Sequence, residues 1–182
     1  SMRTTTRAAL VAALWAVSTS SLPATAMADN ACESEMARAA QLHGIPLGIH
    51  ARASLREALE RDAEQMMTVT KQSLDYYHSL FGIRYPFGEY HQVFVPEFNA
   101  GAMENPGCVT LRDPYLFRDG ATHEEVLTRT NTIAHELAHM WFGDLVTMKW
   151  WDDLWLNESF ATYISVLCQS EATRWTNAWT TF

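Results

Sequence analysis

Apolar residues recur at helical spacing between Ser54 and Phe81, at Leu55, Leu59, Met66, Met67, Val69, Leu74, Tyr77 and Leu80. That period predicts one long amphipathic helix, with its methionines in the core rather than on a binding surface. Tyr85-Pro86-Phe87-Gly88 reads as a turn, Gln92 to Val95 as a short strand, and Cys108 to Leu111 as its partner strand. Asp119-Gly120 turns into a helix beginning near Thr122, where Glu124 and Glu125 complement the helix dipole. A further helix carries Glu158, and Asp152 and Asp153 are its candidate caps. Upstream, Asn30 to His43 is rich in Ala and Glu and ends at Gly44 and Pro46, so residues 29–47 read as a linker or partial helix. No internal repeat or low-complexity tract interrupts this order.

The first residues follow a different pattern. Met2-Arg3-Thr4-Thr5-Thr6-Arg7 is basic, Ala8 to Val17 is apolar, and Ser18 to Ala28 is small and polar with A-x-A-like sites. No acidic residue precedes Asp29. This is the layout of a secretory signal peptide over residues 1–28, and the apolar run is too short for a membrane span. The competing reading is a buried strand or helix of the domain. Location follows the leader: secreted or periplasmic where it acts as one, cytoplasmic where it does not.

Composition narrows the function classes. With 182 residues, one domain is expected. The net charge of −8 and the lack of a Lys/Arg cluster argue against nucleic-acid binding. Cys32, Cys108 and Cys168 lack C-x-x-C spacing, so neither a cysteine zinc site nor a disulfide framework is expected. Cys108 and Cys168 read as small buried hydrophobes. Five tryptophans fall between Trp141 and Trp175. They read as core and cleft wall; left exposed, they would form an apolar patch of the kind that marks an interface.

The chemistry is carried by His135-Glu136-Leu137-Ala138-His139. On a helix both histidines face one point, where Zn²⁺ accepts imidazole nitrogens, and Glu136 lies beside them as a general base for a water molecule. A third ligand is required. The position that would mark a metzincin holds Leu145, whereas Glu158 completes H-E-x-x-H-x18-E. An apolar helix with an ionisable stripe needs a reason to bury it, and metal coordination supplies one.

A second motif, Gly101-Ala102-Met103-Glu104-Asn105, stands upstream. Together with the zinc signature, Trp141-Phe142-Gly143-Asp144-Leu145-Val146-Thr147 and Trp150 to Glu158, it makes the chain resemble the M1 family of zinc aminopeptidases, of the bacterial aminopeptidase N type. The resemblance runs from about Gly44 to Phe182, and residues 48–182 read as a partial M1 catalytic domain. It implies an α+β, mainly helical fold with a thermolysin-like (gluzincin) core: a small sheet and the H-E-x-x-H helix. It also implies one Zn²⁺ on His135, His139 and Glu158, with Glu136 activating water. Glu104 would hold the substrate's α-amino group, and Gly101, Ala102, Met103 and Asn105 would line the peptide on an edge strand. The partners implied are peptides with a free N-terminus.

One family feature has no match. The family places an oxyanion-stabilising tyrosine well downstream of the glutamate ligand; here only residues 159–182 follow, and their one tyrosine, Tyr163, is five residues on. Losing such a donor typically costs about 10²–10³ in rate. The family's large N-terminal β-domain and C-terminal helical domain also have no counterpart, which points to surfaces open to self-association. Two alternatives to an aminopeptidase therefore stand: a zinc-binding fragment with little activity, and a thermolysin-like zinc endopeptidase. The Gly101–Asn105 motif speaks against the endopeptidase, which has no need of a carboxylate for an α-amino group.

Overall fold

The computed structural model describes residues 34–181 of the chain. The leader-like stretch 1–28 lies outside the described residues, as does Cys32. Five strands form one mixed sheet in the order β1-β2-β3-β5-β4: β1 Ser34–Leu42, β2 Ile45–Arg52, β3 Tyr90–Val95, β4 Ala102–Met103 and β5 Cys108–Arg112. β2, β3 and β5 run parallel, and β1 and β4 lie antiparallel at the two edges. Three long helices complete the α+β fold: α1 Arg56–Phe81, α2 His123–His139 and α3 Trp155–Ala172.

Residues 34–42 correct the expected linker or partial helix, because they form a strand hydrogen-bonded along β2. Local Ala and Glu content favours a helix, but nine residues are too few to hold one without tertiary support. The two-residue turn His43-Gly44 has positive φ at both positions, 52° and 80°, which is the geometry that joins antiparallel strands of matching twist. Sheet pairing thus outweighs local propensity.

The rest follows the hydrophobic pattern. On β2, Leu47, Ile49 and Ala51 alternate inward; on β3, Tyr90 and Phe94; on β5, Val109 and Leu111. α1 lays Leu59, Met66, Met67, Leu74 and Tyr77 into the same core, while Leu80 is exposed near its end. α1 stops at Gly82, whose φ of 65° a side chain would strain. α2 begins with a capping box: the Thr122 hydroxyl accepts from the Glu125 amide, and Glu125 accepts from the Thr122 amide at 2.8 Å. α3 differs from expectation. Asp152 and Asp153 are exposed in a 3-10 turn, and Leu154, already helical, precedes α3 with no side-chain cap. The turn feeds straight into the helix, so its backbone amides find carbonyls without help. Cys168 is buried as expected, whereas Cys108 is only partly covered.

Two contacts fix α2 against its neighbours. The Tyr77 hydroxyl donates to the Ala134 carbonyl at 2.8 Å, one residue before the first histidine of the motif. Arg129, 1% exposed, donates to Asp62 at 2.6 Å, Gln65 at 3.0 Å and the Tyr115 carbonyl at 3.0 Å. Removing Arg129 takes the shorter of two ion pairs from Asp62 and leaves it the partly exposed Arg61 at 3.2 Å. Arg129→Ala is therefore expected to lower stability by about 1.5–3 kcal/mol, the worth of lost hydrogen bonds to a charged group, read as a shift in the urea midpoint at unchanged slope.

Candidate active site

The last turn of α2 presents His135, Glu136 and His139, and the first turn of α3 brings Glu158 to them. His135 Nε2 and His139 Nε2 are 3.0 Å apart, and Glu158 Oε2 stands 3.5 Å from the first and 3.7 Å from the second. Four ligands placed tetrahedrally at zinc–nitrogen and zinc–oxygen distances stand about 3.3 Å from one another. The three separations bracket that value, so the donor set fits a zinc ion. Tautomer and charge agree with it. His139 Nδ1 donates to the Phe142 carbonyl at 3.0 Å, which leaves Nε2 with its lone pair. Burial, with His139 beside it, lowers the His135 pKa to about 4, so that ring is neutral at physiological pH.

Glu136 is buried, and its Oε2 has no hydrogen-bond partner among the described residues. Desolvation, then the carboxylates of Glu104, Glu158 and Asp144, raises its pKa to about 8. A carboxyl so placed is an acid–base group waiting for a counter-charge and a proton to move. Asp144 is shifted as well, to about 6, by burial and Glu104, with His139 opposing.

Glu104 joins this centre from the sheet. Its carboxylate, that of Glu136 and a His139 nitrogen lie within 4.8 Å of one another. It directly follows β4, whose Ala102 and Met103 pair with Leu111 and Thr110 at the sheet edge. The Gly101 carbonyl accepts from the Arg112 amide at 3.1 Å, and Asn105 is tied to Thr110 and to the amide of Cys108. The structure therefore brings His135, Glu136, His139, Glu158 and Glu104 together and sets Gly101–Met103 on the adjoining edge. Tyr163 stands apart: it is exposed, and its ring centroid lies 5.8 Å from that of Trp179. Asp144 and Asn157 are the neighbours that sequence reasoning missed. Both sit in the stretches that carry the family resemblance, but no spacing rule marks them.

These features agree with known proteins. The model of the Peptidase family M1 domain matches residues 65–182. The chain belongs to the M1 family of peptidases. It is 57% identical over 140 residues to Aminopeptidase N of Streptomyces lividans, covering 76% of this chain and 16% of that protein. It is 48% identical over 117 residues to Probable aminopeptidase 2 of Sulfurisphaera tokodaii, covering 64% and 15%. Aminopeptidase N of Lactobacillus helveticus matches at 40% over 126 residues, covering 68% and 15%. The chain thus spans about a sixth of the length of these M1 relatives.

Of the five tryptophans from Trp141 to Trp175, two are core and three are not. Trp141 and Trp175 are buried, and the Trp141 indole donates to the Ile83 carbonyl at 2.9 Å. Trp150, Trp151 and Trp155 are 67%, 75% and 58% exposed, and Leu145, Val146 and Leu154 are exposed as well. This corrects the expectation of core and cleft wall for those three, whose apolar side chains face outward instead. Replacing all three with serine is expected to cut iodide-quenchable fluorescence sharply. The same change should leave the melting transition nearly in place, since exposed substitutions usually cost under about 0.5 kcal/mol.

Proposed function

We propose that the chain carries the metal centre of a zinc-dependent aminopeptidase, which removes N-terminal residues from peptides by hydrolysis. The observation that carries this reading is Glu104 within 4.8 Å of Glu136 and His139, beside the His135–His139–Glu158 ligand set. The M1 membership and the relatives named as aminopeptidases support it.

Each residue has a role its position allows. His135, His139 and Glu158 would hold the ion. Zinc held there supplies a Lewis acid for the scissile carbonyl and a positive charge that favours the ionised form of Glu136. Glu136 takes the proton of the attacking water and returns it to the leaving amine. Glu104 accepts charge-assisted hydrogen bonds from the substrate's α-ammonium. The outer edge of β4 adds the peptide backbone as a further strand, which fixes its register. A chain paired along Ala102 and Met103 meets the Glu104 carboxylate directly, and that counts the cut from the N-terminus.

A second reading is a zinc-binding domain without turnover of its own. Tyr163 gives the first reading no support, since it is exposed on α3 and sits beside Trp179. Kinetics separate the readings. The aminopeptidase predicts hydrolysis of aminoacyl-arylamides and none of N-acetylated peptides. Glu136→Gln should lower kcat by about 10²–10⁴ with zinc still bound. Glu104→Ala should mainly remove discrimination between free and blocked N-termini. Stoichiometric zinc with no turnover would establish the second reading, and cleavage of blocked peptides would establish an endopeptidase.

A further inference from the structure

Asn157 makes a contact that its place in the chain does not favour. Adjacent residues on a helix point about 100° apart and do not normally face each other. Yet Asn157 Nδ2 donates to Glu158 Oε1 at 3.2 Å. Glu158 Oε2 is the oxygen turned to His135 and His139. The bond therefore divides the carboxylate: Asn157 holds one oxygen, and the other is left to the ligand cluster. Glu158 is an exposed side chain, so without that bond its carboxylate is free to turn.

The other end of the same amide lies against Gly143. Asn157 Oδ1 is buried and has no hydrogen-bond partner among the described residues. A side chain at Gly143 would bring its first carbon to 2.3 Å from Asn157 Oδ1 and 3.3 Å from His139 Nδ1. Asn157 Oδ1 and His139 Nδ1 thus converge on the space that the missing side chain leaves. Gly143 is glycine for two reasons: its φ of 136°, and this close approach. A cavity of about 160 Å³, lined in part by Phe142, Val146, Met148 and Leu156, adjoins Asn157. Packing from that side leaves Asn157 room to turn away, so the polar contacts decide where the amide sits.

We propose that Asn157 is a positioning residue for the metal centre: its Nδ2 holds Glu158 Oε1 and so keeps Oε2 turned to His135 and His139 in one binding geometry. The inference rests on the zinc-site reading and goes one shell further out. Partners that orient ligands in this way are typically worth about 10–100-fold in metal affinity.

The test uses the full 182-residue chain. Zinc dissociation constants come from competition with a chromophoric chelator, and Co²⁺ loaded in place of zinc reports coordination geometry through its visible absorption. Asn157→Ala removes the contact to Glu158, and Asn157→Leu keeps the volume without the amide. Both are expected to bind zinc about 10–100-fold more weakly than the parent, with weakened and shifted Co²⁺ bands, while the metal-free chains melt together. Zinc affinity within threefold of the parent in the folded variants overturns the proposal. So does a return of parental affinity in Asn157→Leu alone, because volume would then be sufficient. If Asn157→Ala does not fold, Asn157→Leu decides by the same criteria. A parent chain that binds no zinc sinks the underlying metal-site reading instead, and the two failures are thereby distinguished.

Discussion

The carboxylates of Glu104, Glu136, Asp144 and Glu158 crowd the end of α2, and the rest of the site follows from that concentration of like charge. The groups that raise the Glu136 pKa are burial and three other carboxylates, with no arginine or lysine among them. Burying unpaired charge is costly, and proteins that do it supply a partner or leave the group protonated. Here the fold supplies two neutralising positions. One is the His135–His139–Glu158 triangle, sized for zinc. The other is the space beside Glu104, which a substrate ammonium would fill. On the proposed function, metal binding and amino-terminal recognition would be one electrostatic problem, met from the two sides of Glu136.

Such a site needs a stiff frame, because its ligands come from elements far apart in sequence. α2 is the keel. Its start is fixed by the Thr122–Glu125 capping box, its middle by Arg129 against Asp62 and Gln65, and its histidine-bearing end by Tyr77 on the Ala134 carbonyl. Trp141 then turns the chain away beneath an aromatic cluster that includes Tyr77, Phe81 and Tyr85. The sheet delivers Glu104 at its edge, and α3 delivers Glu158. Movement of any one element by an ångström would open a ligand triangle whose sides are 3.0–3.7 Å.

Much of this is legible in the sequence where local and tertiary signals agree. The α1 pattern, the Thr122 start of α2, the β3–β5 pairing and the metal motif all have strong local signatures. β1 is not legible, because its residues favour a helix and only the neighbouring β2 makes a strand the better choice. The exposed tryptophans depart from expectation for a related reason: burial of a large apolar side chain is a default, and at Trp150, Trp151 and Trp155 the tertiary structure overrides it. Asn157 carries no sequence signal because its importance lies in which atom of Glu158 it touches, and spacing rules hold no atomic detail.

On the proposed function, the sheet edge would explain why the same metal motif serves an exopeptidase rather than an endopeptidase. A substrate strand needs free backbone groups to pair with, and β4 occupies the last place in the strand order, with only β5 as its neighbour among the described residues. β4 is two residues long, too short to attract a long partner strand and so a poor nucleus for aggregation. It is long enough to align a few residues of peptide. Glu104, next in the chain, sets a negative charge where such a peptide would have to continue. A blocked N-terminus has no positive charge to offer it, so on the proposed function the carboxylate would penalise internal segments by desolvation and reward only free amines. Specificity for chain ends would thus come from one residue's position after a two-residue strand, with no change in the metal chemistry.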